Sequence, residues 1–326
     1  MSTLVTRVAI VGTGVIGASW TTAFLARGMD VVASDPAPGA EDALRRTVDT
    51  QWPVMAQIGL SSGASKDRLR FTASPEDAVA DVGFVQENGP EHLDVKRELF
   101  RRLDQAAAPD IPLATSASTI TISQFQDACI SHPERIVLGH PFNPPHLIPL
   151  VEVGGGKQTS PDAIDRALNF YRAMGKHPIH LYREIMGHVA NRLQAALARE
   201  VYHLVAEGVV SVADVDTALC WGPGLRWGIM GQVMLNHLGG GEGGIEHFFQ
   251  QFTGPMTAWW KVLGSPQLTP EVQKMLIDGV HAEIGSRRID DLAAERDEVL
   301  LGLLELRAKA QSAQSVPTPG AATRTG

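Results

Sequence analysis

The chain has 326 residues, 44 % of them hydrophobic and 20 % charged, an ordinary globular balance with enough length for two domains. A formal net charge of −8 argues against nucleic acid and against an anionic membrane surface as partners, because both require clustered positive charge. The two cysteines, Cys129 and Cys220, exclude a disulfide framework and are expected as reduced, buried thiols. No stretch reaches the ~18 consecutive apolar residues of a membrane helix, and no charged-then-apolar leader opens the sequence. A soluble, cytoplasmic protein without a bound metal is expected.

In chain order, Arg7 to Val11 reads as a short buried strand. The glycine loop Gly12-Thr13-Gly14-Val15-Ile16-Gly17 follows, then a helix to about Arg27 and a second strand over Asp30 to Asp35. A strand, crossover helix and strand in that order imply parallel pairing with a right-handed connection. The alternation continues with a helix from Ala40 to about Gly59, a strand at Arg70 to Thr72, and a short helix opened by Ser74 and Pro75. Then come a strand at Val82 to Gln86, a helix from Glu91 to Ala107, and strands at Leu113 to Ser116, Ile136 to Gly139 and Leu150 to Val153. Ser160-Pro161-Asp162 starts a helix that ends near Met174, and Ile179 to Tyr182 supplies one more strand. Beyond Gly187 the signals are mainly helical. Val189, Leu193, Leu197, Val201 and Val205 recur every four residues as an apolar stripe, and Ser211 with Asp214 has the spacing of a capping box. The expected fold is α/β: an N-terminal Rossmann doubly wound sheet over 1–187, an all-α domain over 188–311, and a disordered tail over 312–326.

The glycine loop carries the first chemical signal. Gly12 permits the tight turn after the strand, Gly14 lets the backbone approach a pyrophosphate, and Gly17 lets the helix pack closely on the sheet. Asp35 stands eighteen residues past Gly17 at the end of the second strand. A carboxylate there accepts hydrogen bonds from ribose hydroxyls and repels a 2′-phosphate, so NAD is expected as the cofactor. The second signal is His140-Pro141-Phe142-Asn143-Pro144-Pro145 with Glu152 twelve residues on from His140. Oxidation of an alcohol requires a base for the hydroxyl proton, and a histidine titrates near neutral pH. A carboxylate on the other ring nitrogen fixes the tautomer. His140 is expected just past one strand and Glu152 in the next.

The glycine loop, Gln86-Glu87, the run from Leu93 through Lys96 to Phe100, Ser116 to Ser118, the His140-to-Glu152 block and Gly187-His188-Val189-Ala190-Asn191-Arg192-Leu193 together resemble the 3-hydroxyacyl-CoA dehydrogenase superfamily over about residues 5 to 310. The resemblance implies a catalytic pair at His140 and Glu152, a serine on the substrate hydroxyl at Ser118, an asparagine at Asn191, and a homodimer formed through the helical domain. Thr13, Val15, Ile16, Glu87, Lys96 and Ser116 join the glycines and Asp35 as cofactor-binding candidates. The sequence departs from the family where Pro141 precedes Phe142 and where Ala114-Thr115-Ser116-Ala117-Ser118-Thr119 replaces the usual serine segment, leaving Ser116 as a substitute for Ser118.

The Gly139-to-Pro145 and Leu150-to-Val153 segments look like a branch acting on free small hydroxy acids, which includes carnitine and gulonate 3-dehydrogenases. Asp35 to Ala40, Leu225 to Gly231 and His247 to Phe252 look most like the carnitine enzymes. Four of the six tryptophans fall in residues 221–260, among Phe248, Phe249 and Phe252. Aromatic faces of this kind hold quaternary ammonium, and an arginine holds a carboxylate. Phe142, Arg192, Arg226, Trp227 and Phe252 are therefore the substrate candidates, and helix core or interface is the other use of the aromatics. The expected function is NAD-dependent oxidation of the 3-hydroxyl of a small hydroxy acid, carnitine first. Gulonate or a 3-hydroxyacyl-CoA is the alternative within the chemistry, and a catalytically silent NAD-binding structural protein the alternative outside it.

Overall fold

The computed structural model describes residues 5–315, which divide into two compact units, one up to Arg192 and one from Leu193. The first unit opens with β1 (Arg7–Val11), α1 (Val15–Ala26), β2 (Asp30–Ser34), α2 (Ala40–Ile58), β3 (Leu69–Thr72), α3 (Pro75–Val79), β4 (Phe84–Glu87) and α4 (Leu93–Ala106). It continues with β5 (Leu113–Thr115), β6 (Ile136–Pro141), β7 (Leu150–Gly155), α5 (Pro161–Ala173) and β8 (His177–His180). Ser74 and Ser160 cap α3 and α5 by accepting from the amides of Asp77 and Ala163, with a proline in the first turn of each helix.

The eight strands form one sheet in the order β3-β2-β1-β4-β5-β6-β7-β8. Strands β1 to β6 pair in parallel, as the alternation of strand and helix requires. The loop after Pro141 then returns β7 antiparallel to β6, and β8 runs parallel to β7. This doubly wound sheet followed by a helical unit is the expected fold class.

Residues of β1 alternate between the two faces of the sheet. Val8 and Ile10 belong to a core with Trp20, Phe24 and Leu25 of α1 and Ala167, Phe170 and Tyr171 of α5. Ala9 and Val11 belong to a second core with Phe100 and Leu103 of α4 and with Ile122 and Phe125. Within the first, Phe84 lies flat on Phe170 with ring centroids 3.8 Å apart, and Trp20 stacks on Phe24 at 5.1 Å. Cys129 is buried in the second core, where desolvation and then the Asp104 carboxylate push its thiol up to about 12. Cys220 is exposed, against expectation, because it lies on an exposed face of a helix in the other unit.

The second unit is helical. Helix α6 (Ala190–Ala206) begins before the division and is followed by α7 (Val212–Trp221), α8 (Pro223–Trp227), α9 (Gln232–Gly239), α10 (Gly244–Trp260), α11 (Pro270–Ile284) and α12 (Ile289–Ser315). Ser211 caps α7 by accepting from Asp214 N at 3.1 Å and donates to the Asp214 carboxylate at 2.7 Å. The apolar stripe of α6 is buried only at its far end, where Val205 packs with Val212 and Val215; Leu193 remains 68 % exposed. The compact units divide after Arg192, and the start of α6 is hydrogen-bonded to Glu152 of the first unit. Of the expected tail, residues 312–315 continue α12, and residues 316–326 lie outside the described residues. No helix among the described residues is long and apolar enough to cross a membrane.

The stacked pair in the first core sets a stability test. Phe84→Ala removes a fully buried ring and is expected to destabilise the first unit by about 3–5 kcal/mol, read as a lower denaturation midpoint in urea.

Candidate active site

The glycine loop leaves β1 and turns into α1. Gly12 has φ +89°, and a Cβ on it would lie 2.8 Å from the backbone of Asn88. A Cβ on Gly17 would lie 1.9 Å from the Gly12 carbonyl oxygen. These two positions must therefore be glycine for the loop to close at all. Gly14 differs: a Cβ there would meet no protein atom within 4 Å. Gly14 also precedes a helix whose N-terminus has no side-chain cap. Open space beside uncapped helix amides, where the partial positive end of the helix dipole lies, fits the pyrophosphate of a dinucleotide. Val15 is exposed beside it, and Ile16 packs partly buried against the first core.

Asp35 follows β2 and accepts hydrogen bonds from Thr13 N at 2.8 Å and Thr13 Oγ1 at 3.2 Å, and from Ala37 N at 2.9 Å. Its carboxylate is thereby fixed beside the glycine loop while remaining partly exposed. Glu87 and Lys96, the next two cofactor candidates, face each other. Lys96 Nζ donates to both Glu87 oxygens at 2.8 Å, and both side chains are 1 % exposed. Glu87 also accepts from Thr115 Oγ1 at 2.6 Å and Gly89 N at 2.7 Å. The pair presents no charge to solvent; it neutralises itself under the loop after β4, because a buried carboxylate needs a cation and donors on every lone pair. Glu91, not singled out from the sequence, is the exposed acid of this loop and accepts from the Ser118 amide and from Thr119 Oγ1. Its signal was the extra acid five residues before Lys96.

The His140–Glu152 geometry follows from the sheet. His140 lies inside β6 rather than past its end, and the antiparallel register sets it directly opposite Glu152 of β7. Opposed residues in such a pair bring their side chains together. His140 Nδ1 stands 2.8 Å from Glu152 Oε2, and His140 Nε2 stands 3.0 Å from Ser118 Oγ. An ionised carboxylate only accepts, so the Nδ1 nitrogen carries the proton and the neutral ring offers its Nε2 lone pair to the serine hydroxyl. The other Glu152 oxygen accepts from Val189 N at 2.8 Å and Ala190 N at 2.9 Å. Burial by itself would raise the Glu152 carboxyl; the bonds from His140, Ala190 and Val189 outweigh it and hold the group below its ordinary value.

Ser116 is not the serine at the histidine. Its hydroxyl donates to Asn88 Oδ1 at 2.7 Å and accepts from Gln86 Nε2 at 2.8 Å. Gln86 in turn reaches the Gly139 carbonyl at 3.0 Å and accepts from Tyr171, forming a buried polar network behind His140. Asn191 lies in the first turn of α6, directly after the amides that bind Glu152; its side chain makes no hydrogen bond to His140 or Ser118 among the described residues. Phe142 is half-buried just past β6, and Arg192 is exposed with a long contact of 3.4 Å to Met186 O.

In the second unit, Arg226 is exposed and Trp227 donates to Gln232 Oε1 at 2.6 Å. Phe248 stacks on Phe252 at 4.9 Å and meets Phe249 edge-on at 5.9 Å. Trp221, Trp259 and Trp260 are each at least 60 % exposed. The aromatic run is therefore not a closed helical core.

Comparison with known proteins agrees with this architecture. Residues 7–185 match the family described as 3-hydroxyacyl-CoA dehydrogenase, NAD binding domain, and residues 187–279 match its C-terminal domain. The chain is 48 % identical to an L-carnitine dehydrogenase of Streptomyces griseus over 92 % of this chain and 89 % of that one. It is 45 % identical to the L-carnitine dehydrogenase of a Pseudomonas species, over 91 % and 92 %. Among solved structures, an NAD+-dependent dismutase, 5-formyl-3-hydroxy-2-methylpyridine 4-carboxylic acid 5-dehydrogenase, is 29 % identical with a TM-score of 0.78, covering 93 % of this chain and 99 % of that chain. The 3-hydroxybutyryl-CoA dehydrogenase of Escherichia coli K12 is 26 % identical with a TM-score of 0.63, over 84 % and 57 %. The chain belongs to the 3-hydroxyacyl-CoA dehydrogenase family and is an NAD-dependent dehydrogenase acting on CH–OH groups.

Proposed function

We propose that the protein oxidises the 3-hydroxyl of L-carnitine, with His140 as the base, Glu152 as the group that orients it, and Ser118 and Asn191 on the reacting oxygen. The single observation that carries the chemistry is the unbroken chain Ser118 Oγ–His140–Glu152, with bonds of 3.0 and 2.8 Å. Similarity to L-carnitine dehydrogenases over more than nine-tenths of the chain carries the substrate.

NAD, when bound, supplies the hydride acceptor. His140 Nε2 takes the hydroxyl proton, and Glu152 balances the charge that this leaves on the ring. Ser118 directs the substrate hydroxyl at His140 Nε2. Gly14 and the amides of Val15, Ile16 and Gly17 would hold the pyrophosphate and Asp35 the adenosine ribose, with Gly12 and Thr13 shaping the loop. Carnitine brings a trimethylammonium, which suits an aromatic face such as that of Phe142, and a carboxylate, which suits a guanidinium such as that of Arg192. Leu193 and Leu197 on α6 and Trp259 and Trp260 on α10 leave apolar surface exposed, which supports assembly as a homodimer.

Three measurements test the reading. NAD reduction is followed with L-carnitine, gulonate and 3-hydroxybutyrate, the last free and as its CoA ester, on the parent protein and on His140→Ala. Carnitine is expected to give the highest kcat/KM, and His140→Ala to lose about 10²- to 10⁴-fold in turnover while keeping its NADH affinity. Turnover only on another substrate overturns carnitine, and near-normal turnover by His140→Ala overturns the base.

Gly14→Ala adds a methyl where no protein atom stands. It is expected to leave the thermal midpoint unchanged and to weaken NADH binding by about 1–3 kcal/mol, roughly 5- to 150-fold, as judged by fluorescence titration. Sedimentation equilibrium is expected to give twice the chain mass of 35.0 kDa.

A further inference from the structure

We infer that His188 is a positioning residue for the oxidation: it joins the Ser118 turn and the Glu152 carboxylate into one frame around His140. The inference rests on the reading of Ser118, His140 and Glu152 given above. It concerns a residue that touches neither reacting atom in that scheme.

His188 is 3 % exposed and sits in the left-handed region at φ +49°, the one residue other than glycine to do so among the described residues. That conformation is unfavourable for a side chain and persists only where surrounding contacts impose it. Here they do so on three sides. The imidazole Nε2 donates to the Ala117 carbonyl at 2.8 Å, immediately before Ser118. The preceding amide, Gly187 N, donates to the Ser118 carbonyl at 3.2 Å. The next two amides, of Val189 and Ala190, are the ones that bind Glu152 Oε1. The left-handed turn at His188 is what lets four consecutive residues serve both sides of the histidine, the serine turn on one and the carboxylate on the other.

The ring also lies against the reacting one, with the His140 and His188 centroids 4.7 Å apart. A second imidazolium there would oppose the protonation of His140. Burial pushes the His188 ring down; the bond to the Ala117 carbonyl acts against this, and His140 adds to the depression. Glu152 and Glu91 are the other charged groups that act on it, both favouring the cation. A neutral ring with its hydrogen on Nε2 satisfies the carbonyl and places no charge beside His140. His188 therefore acts through position, holding Ser118 Oγ and Glu152 at hydrogen-bonding distance from opposite ends of one imidazole.

The test uses the full-length protein with His188→Ala and His188→Gln; glutamine retains an N–H donor at similar reach. His188→Ala is expected to lower kcat 10- to 100-fold, with KM and NADH affinity within threefold of the parent. His188→Gln is expected to recover at least threefold of that loss. Should His188→Ala fail to fold, His188→Leu, which keeps volume without a donor, makes the same comparison. A kcat within twofold of the parent, a parallel loss of NADH affinity, or glutamine no better than the donor-free variant overturns the inference. His140→Ala is measured alongside. If it retains turnover, the reading of the site itself fails; if it is inactive while the His188 variants match the parent, only the His188 inference fails.

Discussion

The buried Glu152 carboxylate is the constraint from which the arrangement around His140 follows. A charge at 0 % exposure must be met by donors on both oxygens, or its desolvation would cost more than the fold gains from it. One oxygen takes the His140 ring and the other takes two backbone amides at the start of α6. Meeting that requirement aligns β6 with β7, fixes which nitrogen of the imidazole carries its proton, and ties the beginning of a long helix to the sheet. The same bonds favour the ionised carboxyl, so the partner of His140 and the anchor of α6 are one residue.

The cofactor half solves a different problem with similar economy. Asp35 accepts from the Thr13 amide and hydroxyl, so the acid at the end of β2 and the loop after β1 hold each other in place. Glu87 and Lys96 close the neighbouring loop from below as a mutually neutralised pair. Rigid walls of this kind let the open ground beside Gly14 stay open, since nothing there has to carry the loop's own packing. The glycine loop, Asp35, the serine turn and His140 all stand at the carboxyl ends of parallel strands, where an open α/β sheet leaves its crevice.

Much of this was legible in the sequence because it is local. The glycine spacing, the acid after the second strand, and the serine–proline helix starts each depend on a few consecutive residues. The His140–Glu152 partnership was legible as chemistry but not as geometry, since residue order alone does not show an antiparallel return after a run of parallel strands. The pairing of Glu87 with Lys96 was not legible, because a charged residue in a motif looks the same in sequence whether or not it has a buried partner. Ser116 and Ser118 are both plausible by type, and only their surroundings separate them: Asn88 and Gln86 claim the first, His140 the second. His188 lies within the Gly187-to-Leu193 motif, but its significance lies in a backbone angle that composition does not reveal.

The reversal at β7 has a consequence for how the protein tolerates change. Side chains along a strand alternate sides, so slipping β7 by one residue against β6 would turn Glu152 to the far side of the sheet and bring Val151 or Val153 opposite His140. Of residues 142–149, which connect the two strands, Asn143 is the exposed one, while His146 is buried and bonded to Ser19. Their number is not free: a single insertion or deletion transmitted into the ladder would turn Val151 and Val153 out of the first core and leave the Glu152 charge without its donors. The register that sets His140 opposite Glu152 therefore also holds the connection to one length.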